Sequence, residues 1–265
     1  MVAYVPGENP IRFRLEDGIA TVSIDRPAQR NALSIEAMNG LYEVWEQVDQ
    51  NPDVRVVILT SSDCGTFCAG LDLKQTALIK QQTGKDILSF MKDPFHFRMR
   101  RVKVPIVAAM TGHLMAGGML MSLNCDLRVG LSGSQVGITE SKIGRGSPWA
   151  MPLLWMLPQP ILMEMVLTAE LMPIERLREL GFINYLESSP DAVRERAYRL
   201  AGLIRNNAPL SLEAGKRSIL TAMSVGCDTG LELAWQIYRR AYDSDDAQEG
   251  ARAFAEKRPP RWTGR

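Results

Sequence analysis

Apolar and polar residues alternate from Ile11 to Leu15, in Ile-Arg-Phe-Arg-Leu, as they do in a strand with one buried face. Asp17-Gly18 suits a tight hairpin turn, and Ile19 to Ile24 reads as the returning strand. The stretch from Asp25 to Leu33 is a loop, after which Ser34 can cap a helix whose Ile35, Met38, Leu41, Trp45 and Val48 recur at helical spacing. Alternation then gives way to a continuous β-branched-rich run within Val54 to Thr60, centred on Val56-Val57-Ile58-Leu59, the mark of a buried strand. Small polar residues from Thr60 to Gly65 end that strand in a glycine-bearing loop, and a mixed segment continues to about Arg101. A second such run, Val104 to Met110, passes through a flexible stretch at Thr111 to Gly118 into an apolar helix from Gly117 to Asn124. Asp126 to Val129 and the segment around Val136 begin another unit. Beyond about Pro160 helical spacing takes over, at Ile161 to Leu171, Pro173 to Leu180, Asp191 to Arg205, Leu210 to Met223 and Leu231 to Tyr242. On pattern alone the fold class is α/β.

Composition narrows the function more than the fold. With 265 residues, 46% of them hydrophobic, the chain can bury a full core and carry an appendage. A net charge of +1 without a dense basic run gives no electrostatic reason for a nucleic-acid partner. No apolar stretch approaches the roughly 20 residues of a membrane span, and Met1-Val2-Ala3-Tyr4 has no presequence character, so a cytoplasmic protein without membrane attachment is expected. Cys64, Cys68, Cys125 and Cys227 match neither paired metal knuckles nor a disulfide framework and are expected as free thiols. Two histidines, His96 and His113, supply a zinc site or a Ser-His-Asp triad poorly, and no metal is expected. Gly144-Arg145-Gly146 begins like a dinucleotide fingerprint, but Pro148 and Trp149 stand where it should close.

The chemistry is expected at the two strand-to-loop junctions, whose backbone N–H groups could face one carbonyl oxygen. The first junction reads Cys68-Ala69-Gly70-Leu71-Asp72-Leu73-Lys74; the second runs from Gly112 through Gly117-Gly118 to Cys125-Asp126. With these motifs in this order, the chain resembles the enoyl-CoA hydratase/isomerase (crotonase) family over nearly its whole length. The resemblance implies a crotonase-like spiral of ββα units over residues 1–200 and a C-terminal helical region over 201–265 that mediates trimerisation. It also implies an acyl-CoA thioester as substrate, with coenzyme A entering as part of it and no separate cofactor, and a homotrimer or dimer of trimers. The amides of Leu71 and Gly117 would hold the thioester oxygen, with Ala69, Gly70, Asp72 and Leu73 around them. Glu140 falls at the family position of a catalytic glutamate. Arg26, Ala28, Arg30 and Leu33 occupy the early CoA-contacting loop, and Phe254 and Lys257 match the C-terminal CoA contacts.

Each candidate also has a plainer reading. Gly70, Gly117 and Gly118 could simply make turns; Asp72 and Asp126, as short acids beside turns, could accept backbone hydrogen bonds; Arg30 and Lys257 could be solvated charges. Met115, Met119, Leu120, Met121, Trp149 and Met151 are either an acyl pocket or ordinary core. One departure bears on the reaction: the family's hydratases carry a second glutamate where this chain has Leu120. Hydration shares its proton work between two carboxylates, whereas moving a double bond needs one. Isomerisation of an enoyl-CoA by Glu140 alone is therefore expected, with burial raising the Glu140 pKa. Hydration or dehydration, other crotonase chemistry such as decarboxylation or thioester hydrolysis, and a catalytically silent acyl-CoA binder are the alternatives.

Overall fold

The architecture repeats one move: a strand of a central sheet passes the chain to a short strand of a second sheet. The computed structural model describes residues 7–96 and 98–265; Met1 to Tyr4, on which the presequence reading rests, lie outside the described residues. An antiparallel hairpin, β1 (Ile11–Glu16) and β2 (Ile19–Ile24), turns through Asp17 and Gly18, both at positive φ, as a two-residue hairpin turn requires. The helix α1 (Ile35–Gln50) follows, and Ser34 caps it as expected, accepting from the Ala37 amide at 3.2 Å. Then come β3 (Val56–Ser61), β4 (Thr66–Cys68) and α2 (Leu73–Thr83); β5 (Ile106–Met110), β6 (His113–Met115) and α3 (Gly117–Leu123); and β7 (Leu127–Leu131) with β8 (Gln135–Gly137). The order in the six-stranded sheet is β1-β2-β3-β5-β7-β10 and in the four-stranded sheet β4-β6-β8-β9; β9 (Met172–Pro173) and β10 (Tyr185–Glu187) come later in the chain. From β2 onward the large sheet is parallel, so the ends of β3 and β5 lie side by side.

Both faces of that sheet are covered at its centre, which is why β3 and β5 read as unbroken apolar runs. Val57, Leu59, Ile106 and Ala108 join the main core with Leu41 and Trp45 of α1. The alternate residues Val56, Ile58, Val107, Ala109 and Val129 meet Val193, Ala197 and Ala201 of α6 (Pro190–Arg205). The division expected at 200/201 falls inside α6, whose small residues seat it on the sheet.

Between β8 and α6, α4 (Gln159–Thr168) and α5 (Ile174–Glu179) close the main core. The C-terminal region consists of α7 (Pro209–Val225), α8 (Cys227–Tyr242) and α9 (Asp245–Ala255). Lys216 of α7 fastens it to the spiral through the Val104 carbonyl at 3.0 Å and Asp126 at 2.8 Å. Asp126 also accepts from the Ile106 amide at 2.7 Å, the structural role foreseen for a short acid beside a turn. Ile219, Leu231, Trp235 and Tyr242 of α7 and α8 are largely exposed. No helix among the described residues is long and apolar enough to cross a membrane. All four cysteines are free thiols, and burial pushes Cys68 and Cys125 up to about 12.

Candidate active site

The loop after β4 is held open from behind by the loop before α1. Gly70, at φ +87°, passes its carbonyl to the Leu33 amide at 2.7 Å, and the Asp72 amide bonds the Leu33 carbonyl at 2.9 Å. Leu33 and Leu71 thus form a one-rung parallel bridge in which Leu71 is the residue skipped, so its own N–H points away from Leu33. The support is itself anchored. Fully buried Asn31 donates to the Ser62 and Thr66 carbonyls, each at 2.8 Å, and Arg26 pairs with Asp72 at 2.9 Å.

On the open side stands the start of α3. Gly117 is its first residue, where a helix leaves its amides without intrahelical acceptors. The turn into it is made by Ala116 at φ 48° and ψ −109°, a strained conformation for a residue with a Cβ. The approach of the two loops is close enough to exclude side chains. A Cβ on Gly70 would stand 2.8 Å from Ala116 Cβ and 3.3 Å from the Gly117 nitrogen; one on Gly117 would stand 3.3 Å from Gly70 Cα. Gly118 is equally restricted, since a Cβ there would meet the Cys68 carbonyl at 2.5 Å. Close approach, beyond turn-making, accounts for these glycines. The Leu71 amide lies in the loop after β4 and the Gly117 amide at the start of α3, on the two segments that Gly70 and Gly117 bring together.

Both residues open onto a cavity of about 380 Å³ that Glu140 also lines, together with Leu33, Ala69, Leu73, Leu120 and Trp149. Met38, Leu88, Phe95 and Ile143 extend its apolar wall, and Lys142 and Arg145 are the basic side chains that line it among the described residues. Glu140 begins a short 3-10 turn (Glu140–Ile143) and is buried. Its Oε1 accepts from the Trp149 indole at 2.9 Å, while Oε2 is buried and has no hydrogen-bond partner among the described residues. Burial pushes the carboxyl above the usual glutamate range, opposed in part by its own amide, the Trp149 indole, the Thr139 amide and the charge of Arg145. Arg145 is occupied by Asp86, two contacts of 3.1 Å, and Lys142 by Glu170 at 2.8 Å.

Not every expected residue gathers here. Asp72 faces Arg26 and caps α2 through the Gln75 amide at 3.1 Å, so both side chains are engaged in holding the loop. Ala28 and Arg30 are exposed beside it. Met115 sits half-buried on β6, paired with Gly137, and is not part of the cavity wall. Met119 and Met121 are fully buried core, and Met151 is exposed. Phe254, 88% exposed on α9, and Lys257 beyond it stand away from the cavity within one chain. A roomier cleft of about 630 Å³, bounded by Arg100, Arg101, Lys103 and Arg217, holds none of the expected residues. The Glu140–Trp149 bond was invisible in the sequence, because nothing in the spacing says that two residues nine apart turn toward each other.

A chain that winds strand pairs between two sheets and packs the loop after β4 against the first turn of α3 is an enzyme of the crotonase superfamily. Within it, the chain belongs to the enoyl-CoA hydratase/isomerase family, whose sequence model matches residues 14–265. It is 34% identical to an enoyl-CoA hydratase of Mycobacterium tuberculosis, over 92% of each chain. It is 30% identical to the (E)-benzylidenesuccinyl-CoA hydratase of Thauera aromatica, over 96% of this chain and 99% of that one. The crystal structure of an enoyl-CoA hydratase from Bacillus anthracis superimposes with a TM-score of 0.89 at 26% identity, covering 97% of this chain and 100% of that one.

Proposed function

We propose that the protein shifts the double bond of an enoyl-CoA, with Glu140 as sole acid and base. The observation that carries this reading is that Glu140 is the only carboxylate among the described residues lining an otherwise largely apolar cavity, and that Leu120 lines the same wall. Ionised Glu140 takes a proton from the α-carbon of a 3-enoyl thioester. The electron pair moves onto the thioester oxygen, giving a dienolate held by the amides of Leu71 and Gly117, each worth on the order of 3 kcal/mol at that oxygen. The same carboxyl then returns the proton to the γ-carbon, and the double bond comes to lie between the α- and β-carbons. Burial supports the scheme twice, by making the carboxylate a stronger base and by keeping out water that would otherwise add.

The scheme needs no resident cofactor, since coenzyme A arrives with the substrate. The exposed apolar positions of α7 and α8 support a homotrimer or dimer of trimers, more apolar surface than a monomer's terminal helices usually leave uncovered. In that assembly Phe254 and Lys257 would complete the CoA site at a subunit boundary. Hydration is the second reading, favoured by the names of the relatives. Incubation with a panel of acyl-CoAs in deuterium oxide, followed by mass spectrometry, tests the proposal. Deuterium should enter the α- and γ-carbons, and Glu140→Gln should abolish both exchange and turnover. Full activity in Glu140→Gln would mean that the base is another group, and tight acyl-CoA binding without turnover would point to a silent binder.

A further inference from the structure

We infer that Trp149 is a positioning residue for Glu140: its indole holds one carboxyl oxygen so that the other alone moves the proton. This rests on the reading of Glu140 as the acid/base. The geometry is a short chain of contacts. The backbone of Trp149 is fixed by His96, whose Nε2 lies 3.0 Å from the Trp149 carbonyl, and its ring is half-buried against the main core. From there Nε1 reaches Oε1 of Glu140 at 2.9 Å. A glutamate side chain has three rotatable bonds, and an unanchored one would present either oxygen in several directions; one fixed oxygen removes most of that freedom. What remains is Oε2, buried and without a hydrogen-bond partner among the described residues, an arrangement that costs stability and persists where a site uses the atom.

The indole also sets the balance between the charged and neutral forms. An N–H can donate to a carboxylate at full strength and to a carboxylic acid only weakly, so Trp149 keeps a buried group usable as a base near neutrality. The Glu140 and Thr139 amides and the charge of Arg145 act in the same direction, but the indole is the one side chain that donates directly to the carboxyl among the described residues. Arg145 and Lys142 share the cavity but are paired with Asp86 and Glu170, and His96 acts on the carbonyl of Trp149 rather than on the carboxyl. Trp149 thus combines two duties, orientation and pKa, in one contact.

The test is Trp149→Phe, which keeps the ring's bulk and deletes the donor. In the folded variant kcat should fall about tenfold with KM nearly unchanged. The acidic limb of the kcat/KM profile should move up by about one pH unit, because a hydrogen bond to the charged form has been lost. A merely structural tryptophan would not move that limb. An unchanged limb and kcat would overturn the proposal while Glu140→Gln remains inactive; an active Glu140→Gln would instead remove the reading on which it rests. Should Trp149→Phe fail to fold, the wild-type protein labelled with ¹⁵N-tryptophan decides the matter. One of its five indole signals should titrate with the midpoint of the acidic limb and cease to do so in Glu140→Gln, and the absence of any such signal would overturn the proposal.

Discussion

Replacing Gly117 by valine tests whether the two loops work through their separation. The first added carbon would lie 2.6 Å from Leu33 Cδ1, the end of a side chain that can swing, and 3.3 Å from Gly70 Cα, which is backbone and cannot. Alanine should therefore be accommodated mainly by Leu33, at some loss of cavity space. Valine's two further methyls press on Leu33 and the Gly70 backbone together and should force the loops apart by a few tenths of an ångström or more. Overpacking of this kind costs about 1–3 kcal/mol of stability, a fall in Tm of several degrees for a chain of this size, and leaves a folded protein. Catalysis is more sensitive, because a displaced donor forfeits about 10²-fold or more in kcat, the scale of a lost oxyanion donor. Leu71→Ala is the matched control, since truncating the side chain leaves the amide in place. Deuterium exchange into an acyl-CoA, with circular dichroism to establish folding, gives the answer. Near-normal turnover in a folded Gly117→Val protein would remove Gly117 from the site.

Two further outcomes follow from the same structure. The raised Glu140 pKa means that the folded chain holds its proton to higher pH than the unfolded chain, so stability falls as pH rises from the ordinary glutamate value of 4.5 through the folded pKa. The melting temperature of Glu140→Gln minus that of wild type should accordingly grow across that window and level off above it; a flat difference would mean that the carboxyl is not strained by burial. Light scattering at micromolar concentration should report a trimer or hexamer, and a monomer would leave Ile219, Leu231 and Trp235 without an explanation.

The parts that the sequence made legible are those governed by local chemistry. The Asp17-Gly18 hairpin, the Ser34 cap and the doubly buried β3 and β5 each follow from residues within a few positions of one another. The short strands β4, β6 and β8 to β10 were missed or only sensed, because two or three residues are too few to show a period. Helix α2 carries no helical signature in the sequence for another reason. It buries only Ile79 and leaves Leu73 and Leu78 about half exposed, so it is defined by its Asp72 cap and left-handed Gly84 rather than by an apolar stripe. At the candidate site, the motifs pointed to Gly70, Leu71, Gly117 and Glu140, and of these Leu71, Gly117 and Glu140 line one cavity with Leu120 and Trp149. The pairing of Arg26 with Asp72, 46 residues apart, and the grip of Trp149 on Glu140 depend on how loops face each other, which no local pattern encodes.

In the proposed reaction one buried carboxylate in a largely apolar cavity moves a proton between carbons. That reaction is tested most directly by giving the wild-type enzyme a 3-enoyl-CoA and, separately, its 2-enoyl isomer. The rate of double-bond migration in the first is then compared with the rate of water addition in the second. Migration should be the faster reaction and both should vanish in Glu140→Gln; hydration outpacing migration would refute the isomerase reading and show that Leu120 does not keep water from the bound thioester.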